Sequence, residues 1–461
     1  MKNKIKYIHF VGIGGSGMSG IAEIMHNMKF EVSGSDTQQS QAVKHLESRG
    51  IKIFSEHKKE NINNVDVVVV SSAISNKNPE ISGAKKNKIP IIPRAEMLAE
   101  LMRFKEGIAI AGTHGKTSTT SILASIMNEA GLDPTYVIGG RINSLKQSAR
   151  LGKSEIMIVE ADESDASFLH LNPSHILVTN IDNDHMETYG NDEARLIQTF
   201  IDFIHQVPFY NDVFLCNDDK KIKSIIKRIA RPVITFGLTK KSDIYADKIK
   251  IKGNSSVFRV CSTKFDIRPF FVEIKMPGRH YISNTLGAIA IALSYGITPQ
   301  SITKSLKDFD GVARRFDFYD NYNFNGKKII LIDDYGHHPT EIDAVLKSIR
   351  NGFPRKRINL VFQPHRFSRT LNLLDEFIAT LSKFDQLFLF DIYSAGEKEI
   401  KKLSSKNLIK KINCNTTYLK DMESAKELIE GKINANEILL IMGAGSIGTW
   451  VKDQFLNQYN D

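Results

Sequence analysis

Lys116 and Thr117 follow the turn Gly112-Thr113-His114-Gly115 and open an apolar-striped run that continues from Ser118 to Ala130. An ammonium group and a hydroxyl at the tip of a helix are the groups that hold a triphosphate and its divalent ion. The run Gly107–Ala111 reads as a buried strand entering the turn. Ile122, Leu123, Ile126, Met127 and Ala130 then fall on one helical face. Free backbone N–H groups and the positive end of the helix dipole make such a terminus an anion site. The spacing departs from the full P-loop, because Ile110 stands where Gly-x-x-x-x-Gly-Lys-Thr has its first glycine. Strand, turn, Gly-Lys-Thr-Ser and amphipathic helix still coincide. Gly112, Thr113, His114, Gly115, Lys116, Thr117 and Ser118 are therefore expected to bind ATP, with Lys116 at the terminal phosphates and Thr117 on Mg2+.

Two strand ends add to this chemistry. Glu160 closes "IMIVE", and His185 lies in the loop after "HILVTN". Ligands of parallel sheets collect outside the carboxyl ends of the strands, so both residues should lie beside the 112–117 loop. A carboxylate and an imidazole there can hold a divalent ion that bridges phosphate and an acceptor oxygen. Asp162, Glu163, Asp165, Asp182 and Asp184 are near in sequence, some of them as solvated or capping acids.

The elements that must position these groups alternate strand and helix throughout. That pattern predicts an α/β protein with parallel sheets, and 461 residues exceed what one core usually serves. Three domains are expected: 1–105, Rossmann-like; 106–311, a P-loop ATPase-like parallel sheet; and 312–461, again Rossmann-like. In the first, Gly12-Ile-Gly14-Gly15-Ser16-Gly17 follows a strand, and Asp36 stands where an NAD-binding fold keeps its ribose-binding acid. Taken alone, these residues favour a dinucleotide and an NAD-dependent dehydrogenase. A second such pattern, Gly443-x-Gly445-x-x-Gly448, reads as a close-packed turn.

Net charge is +10, but the basic residues are scattered and interleaved with acids and leucines. Small phosphorylated substrates fit this better than nucleic acid. Cys216, Cys261 and Cys414 are far apart, which argues against a disulfide framework or zinc cluster. No apolar run approaches membrane-spanning length. A cytoplasmic protein with neither a membrane nor a nucleic-acid partner is expected.

The stretches "GIGGSGMSG", "SGSD", "VVVSSAI", "RAEML", "GTHGKTST", "EADESDASFLHL", "TNIDNDHMETYG", "RRFD", "DDYGHHPTEI" and "QPHRFSRT" follow one another in an order that resembles the Mur ligase family of ATP-dependent amide-forming enzymes. The resemblance covers nearly the whole chain and is nearest to the branch that adds L-alanine. It implies a ligase, monomeric or weakly dimeric, that joins L-alanine to the lactyl carboxylate of UDP-N-acetylmuramate at the expense of ATP. The first domain then takes the UDP-sugar rather than NAD, through Gly14, Gly15, Ser16, Gly17, Asp36, Ser71, Ser72 and Arg94. Carried-over roles place His280, Asn284, Arg315 and Asp334 at ATP, with Arg315 neutralising the γ-phosphate. Lys116, Glu160, His185 and Arg315 become the catalytic set, and Thr117, Glu160 and His185 the metal ligands. Tyr335, His337, Arg366 and Arg369 are placed at the amino acid. The two arginines would share one side if their segment is helical, and arginine pairs suit a carboxylate. The chain departs from relatives that carry a carbamylated lysine, because no lysine occurs between Lys153 and Lys220, and Tyr281 replaces a common asparagine. A sibling ligase that attaches a peptide to the same nucleotide sugar is the nearest alternative.

Overall fold

The computed structural model describes residues 4–15, 17–71, 73–142 and 147–456. The chain forms two compact units. One comprises residues 1–245, 261–268 and 283–306; the other comprises 246–260, 269–282 and 307–461. The architecture is α/β with three mostly parallel sheets, as the alternation of strand and helix predicts.

In the first unit, β1 (Tyr7–Val11), β2 (Glu31–Ser35), β3 (Lys52–Phe54), β4 (Val67–Val70) and β5 (Ile91–Pro93) pair in parallel in the order β3-β2-β1-β4-β5. The order reverses between β1 and β4, which opens a crevice at their carboxyl ends where the glycine turn begins. Ile8, Phe10, Val68 and Val69 are fully buried, as strands covered on both faces require.

The second sheet contains β6 (Glu106–Ala111), β7 (Thr135–Ile142), β8 (Gln147–Arg150), β9 (Ile156–Glu160), β10 (His175–Val178), β11 (Val213–Cys216) and β12 (Val233–Gly237). Their order is β12-β11-β10-β6-β9-β7-β8, antiparallel only at β7–β8. β13 (Ile244–Lys252) joins β12 through Ile244 and Tyr245. β6 lies between β9 and β10, so residues following Ala111, Glu160 and Val178 emerge along one edge. Among the described residues, no helix is long and apolar enough to cross a membrane, and all three cysteines are free.

The second unit carries residues 255–260 of β14 (Ser255–Ser262) and all of β15 (Phe270–Ile274), which form an antiparallel pair with Ser256 opposite Ile274. Its parallel sheet contains β16 (Asp317–Phe324), β17 (Lys327–Asp334), β18 (Ile358–Phe362), β19 (Gln386–Leu389), β20 (Asn415–Tyr418) and β21 (Ile438–Met442). The order is β16-β17-β21-β18-β19-β20, with only β16 antiparallel. Phe324, Leu331, Phe388, Trp450 and Phe455 form part of its core. Asp334, Met442 and Phe362 end three adjacent strands and place the following loops side by side.

Candidate active site

Two backbone conformations shape the loop after β6. Gly112 has φ +126°, and a Cβ there would lie 2.1 Å from Thr179 Oγ1; Gly115 has φ +84°, and its Cβ would lie 2.7 Å from the Asn284 amide. Only glycine meets both demands, conformational and steric. The Asn180 side chain clamps the loop from β10. Its Oδ1 accepts from the His114 N–H at 2.9 Å, and its Nδ2 donates to the His114 carbonyl at 2.8 Å. The Thr113 hydroxyl accepts from the Asp182 N–H, and His114 Nε2 lies 3.0 Å from Asp182 Oδ2. The helix Lys116–Glu129 then starts at the expected residue, with Thr117 and Ser118 buried in its first turn.

Lys116 Nζ donates to the Gly112 carbonyl at 2.7 Å, the Thr113 carbonyl at 3.2 Å and Glu163 Oε2 at 2.7 Å. Burial would lower the pKa of this ammonium, but Glu163, Asp162 and Glu160 outweigh it and raise the value, so Lys116 is charged at neutral pH. Burial pushes the Glu163 carboxyl up to about 7, against the pull of Lys116. Burial would also raise Asp162, yet Lys116, Ser164 and Arg94 hold it below its ordinary value. The Thr117 hydroxyl donates to Glu160 Oε2 at 3.2 Å, and Glu160 Oε1 accepts from the Gly139 N–H at 2.8 Å. Thr117 and Glu160 thus present adjacent hard-oxygen donors, the ligand type Mg2+ takes.

His185 opens the 3-10 turn Met186–Tyr189 in the left-handed conformation, φ +54°, 3.6 Å from Asp184 Oδ2. Thr188 and Tyr189 donate from their hydroxyls to the Ser164 and Glu163 carbonyls, tying the histidine turn to the acidic loop. His185 and Glu160 therefore lie on segments joined to each other at the carboxyl edge of the sheet.

The glycine turn after β1 has its own cradle. Ser35 O accepts from the N–H groups of Gly12 and Ile13. Asp36 accepts from the N–H groups of Gly14 and Gln38, each at 2.9 Å. Its carboxylate thus acts on the turn, not as a free ribose acceptor. Ser71 donates its N–H to Val11 O, and Arg94 lies over Gly17, 3.1 Å from where a Cβ would stand. Arg94 Nη2 is also 3.4 Å from Asp162 Oδ2. Ser16 and Ser72 fall outside the described residues.

Asn284, on the helix Arg279–Ser294, packs its amide against Gly115, while the His280 ring lies 4.1 Å from that of Tyr281. In the second unit, the Arg315 guanidinium sits 5.1 Å over the Tyr335 ring and 3.9 Å from Glu341. Tyr335 meets His337 edge-on at 5.6 Å, and His337 lies 5.6 Å from the His365 ring. His365 in turn stacks on Tyr393 and lies 3.3 Å from Arg369 Nη1. Asp334 is buried and accepts from the N–H groups of Phe316 and Gly336, and burial pushes its carboxyl up to about 6.

One expectation changes. The helix that carries Arg369 begins at Phe367, so Arg366, at φ +71°, stands outside it and the three-residue spacing does not align the pair. Arg366 donates its N–H to Tyr393 O, and its buried Nε meets no acceptor among the described residues. Asp333, Asp334, His337 and His338 each have separate surroundings. Asp333 pairs with Arg314 at 3.1 Å, and His338 caps the helix Pro339–Gly352. Arg314 also donates to Gly443 O at 2.8 Å. A Cβ on Gly448 would lie 2.3 Å from Arg314 Nη1, and one on Gly445 2.6 Å from Gln363 Oε1, so the second glycine pattern is a filled, close-packed turn.

Profiles of the Mur ligase catalytic domain, middle domain and glutamate ligase domain match residues 7–106, 110–292 and 314–445. UDP-N-acetylmuramate–L-alanine ligase of Hydrogenovibrio crunogenus is 48% identical over 98% of this chain and 99% of its own. The chain belongs to the Mur ligase family. Another Mur ligase, the UDP-N-acetylmuramate–L-alanine ligase of Neisseria meningitidis serogroup A, is 48% identical over 97% of each chain. The crystal structure of UDP-N-acetylmuramate-alanine ligase from Thermotoga maritima matches 98% of this chain and 99% of that one, with 27% identity and a TM-score of 0.82. A murein peptide ligase from Psychrobacter arcticus, 22% identical with a TM-score of 0.75 over 98% of each chain, shares the Mur ligase fold. Mur ligases use ATP.

Proposed function

We infer that the chain is an ATP-dependent ligase that joins L-alanine to the lactyl carboxylate of UDP-N-acetylmuramate, as a cytoplasmic step of peptidoglycan precursor synthesis. The single observation that carries this is full-length identity of 48% to alanine ligases, over a chain that keeps the Lys116 turn and its acidic edge intact. Residues 1–105 serve the UDP-sugar, 106–311 the ATP and 312–461 the amino acid.

A carboxylate resists attack by an amine because its charge opposes the nucleophile and it has no leaving group. Transfer of the γ-phosphoryl group to a carboxylate oxygen releases ADP and removes both obstacles. The alanine amine then attacks the carbonyl carbon, the C–O bond to phosphate breaks, and a proton leaves the new amide nitrogen. No covalent enzyme intermediate is needed, so the protein contributes position and charge. Lys116 and Arg315 neutralise phosphate oxygens, Asn284 braces the Gly115 turn, and Arg94 with the 12–17 turn holds the diphosphate. Thr117, Glu160 and His185 would hold Mg2+, which draws charge from the phosphates when bound.

Arg366 and Arg369 receive the alanine carboxylate, a role the unpartnered Arg366 Nε favours. Arg366→Ala and Arg369→Ala should each raise the KM for alanine about tenfold or more while leaving the KM for ATP within about twofold. An effect on ATP alone would remove them from the amino-acid site. The activity itself is tested by phosphate release with UDP-N-acetylmuramate across alanine, glycine, serine and a murein tripeptide. Alanine should give the highest kcat/KM, whereas preference for the tripeptide would move the chain to the peptide-adding branch.

A further inference from the structure

Behind the glycine turn of the first unit lies a polar cluster that the reaction chemistry leaves unused. The Glu80 carboxylate is fully buried. Its Oε1 accepts from Asn61 Nδ2 at 2.7 Å and lies 3.2 Å from His9 Nε2. Its Oε2 accepts from the Ser35 hydroxyl at 2.7 Å and lies 2.8 Å from His57 Nδ1. His9 is also fully buried, with its Nδ1 2.9 Å from the Ser33 hydroxyl. Asn78 caps the helix Pro79–Lys86 by accepting the Glu80 N–H, which fixes where the carboxylate begins. Burial alone would raise the pKa of Glu80, but hydrogen bonds from His9, Asn61 and Ser35 hold it below the usual carboxylate value. A fully satisfied buried network of this kind fixes one arrangement, and loss of any member leaves a stranded polar group.

The cluster's partners come from β1, β2, the segment after β3 and a helix. β1 leads into the glycine turn, and the end of β2 holds it. Ser35 O accepts from Gly12 N at 2.8 Å and Ile13 N at 3.1 Å, and the Asp36 carboxylate accepts from Gly14 N at 2.9 Å. Three successive N–H groups of the turn thus depend on Ser35 and Asp36, and the Ser35 hydroxyl is held by Glu80 at 2.7 Å with His57 Nδ1, itself on Glu80, 3.0 Å away. There is no slack between the two. A Cβ on Gly34 would lie 2.5 Å from Ile13 Cδ1, so a shift of β2 reaches the turn directly.

We propose that Glu80 is a positioning residue for the nucleotide sugar, its carboxylate fixing the Ser35 end of β2 and thereby the glycine turn that receives the diphosphate. The inference rests on residues 1–105 being the UDP-sugar domain. It assigns His9, Asn61 and His57 to holding that carboxylate, one step further from the substrate.

The test uses the full chain. Glu80→Gln keeps the shape but replaces an accepting oxygen with a donor, so the Ser35 hydroxyl and its neighbours lose an acceptor. It should raise the KM for UDP-N-acetylmuramate, and its calorimetric dissociation constant, about tenfold. The KM for ATP and kcat should stay within about twofold. A residue that serves stability alone would lower Tm and leave the KM for UDP-N-acetylmuramate unchanged. That outcome in folded Glu80→Gln overturns the proposal. Should Glu80→Gln fail to fold, Asn61→Ala removes one donor at a half-buried position and should raise the same KM about threefold or more, and an unchanged value overturns the proposal equally. Wild-type protein that binds UDP-N-acetylmuramate while Glu80→Gln binds it as tightly refutes the positioning role only. Wild-type protein that binds none refutes the domain assignment as well.

Discussion

Lys116→Ala is expected to lower alanine-dependent phosphate release by about a hundredfold or more at saturating substrates, which corresponds to roughly 3 kcal/mol of lost transition-state stabilisation. The ammonium is held charged by three carboxylates and anchored on two carbonyls of its own loop, so the proposed phosphate contact needs no reorganisation of its backbone. The substitution also strips Glu163 of its partner, and a stranded buried acid destabilises the fold. Lys116→Ala/Glu163→Gln separates the two effects. Its Tm should recover towards wild type, while phosphate release should stay low. Near-normal turnover in either variant would remove Lys116 from the phosphate site.

The second large effect is expected at Gly112. Gly112→Ala forces a side chain into φ +126° and places its Cβ 2.1 Å from Thr179 Oγ1 and 3.0 Å from Asn180 N. Backbone strain of about 1–3 kcal/mol adds to overpacking of about 1–3 kcal/mol, because the clash is with the Thr179 hydroxyl, which is tied to the Ala111 and His114 carbonyls, and with the Asn180 backbone. Gly131→Ala is the control, since it shares a positive φ of +79° but meets nothing within 4 Å. Thermal unfolding with and without ATP should show a much lower Tm for Gly112→Ala, with the ATP-induced rise abolished, whereas Gly131→Ala keeps that rise. Equal behaviour of the two would mean that the turn is not built around this contact.

The start of the nucleotide helix was legible because its signals are local. An apolar strand, a glycine pair and a 3.6-residue apolar stripe all lie within about twenty consecutive residues. The place of Glu160 at the end of β9 was legible for the same reason, since it closes an apolar run. Other features depended on packing. Arg314 and Arg315 are adjacent, chemically identical and both over the Tyr335 ring, and only the close approach to Gly448 and the Asp333 carboxylate bind the first into the fold while the second faces Glu341. Helical phase could not align Arg366 with Arg369, because the chain reaches Arg366 in a left-handed conformation set by its bond to Tyr393. Thr179 and Asn180 lie in a stretch whose histidine drew attention, yet their bonds to the 112–114 loop carry the cradle. The His9–Glu80 contact joins residues 71 positions apart, and no spacing rule reaches that far.

The Lys116–Glu163 pair has a bearing on inhibitor chemistry. A triphosphate mimic at Lys116 would draw the ammonium away from Glu163, a buried acid whose carboxyl is already pushed up to about 7 and which would then have to take up a proton. That penalty is subtracted from whatever affinity its own anion provides. An uncharged scaffold that fills the neighbouring space and accepts a hydrogen bond from the intact pair escapes the penalty altogether.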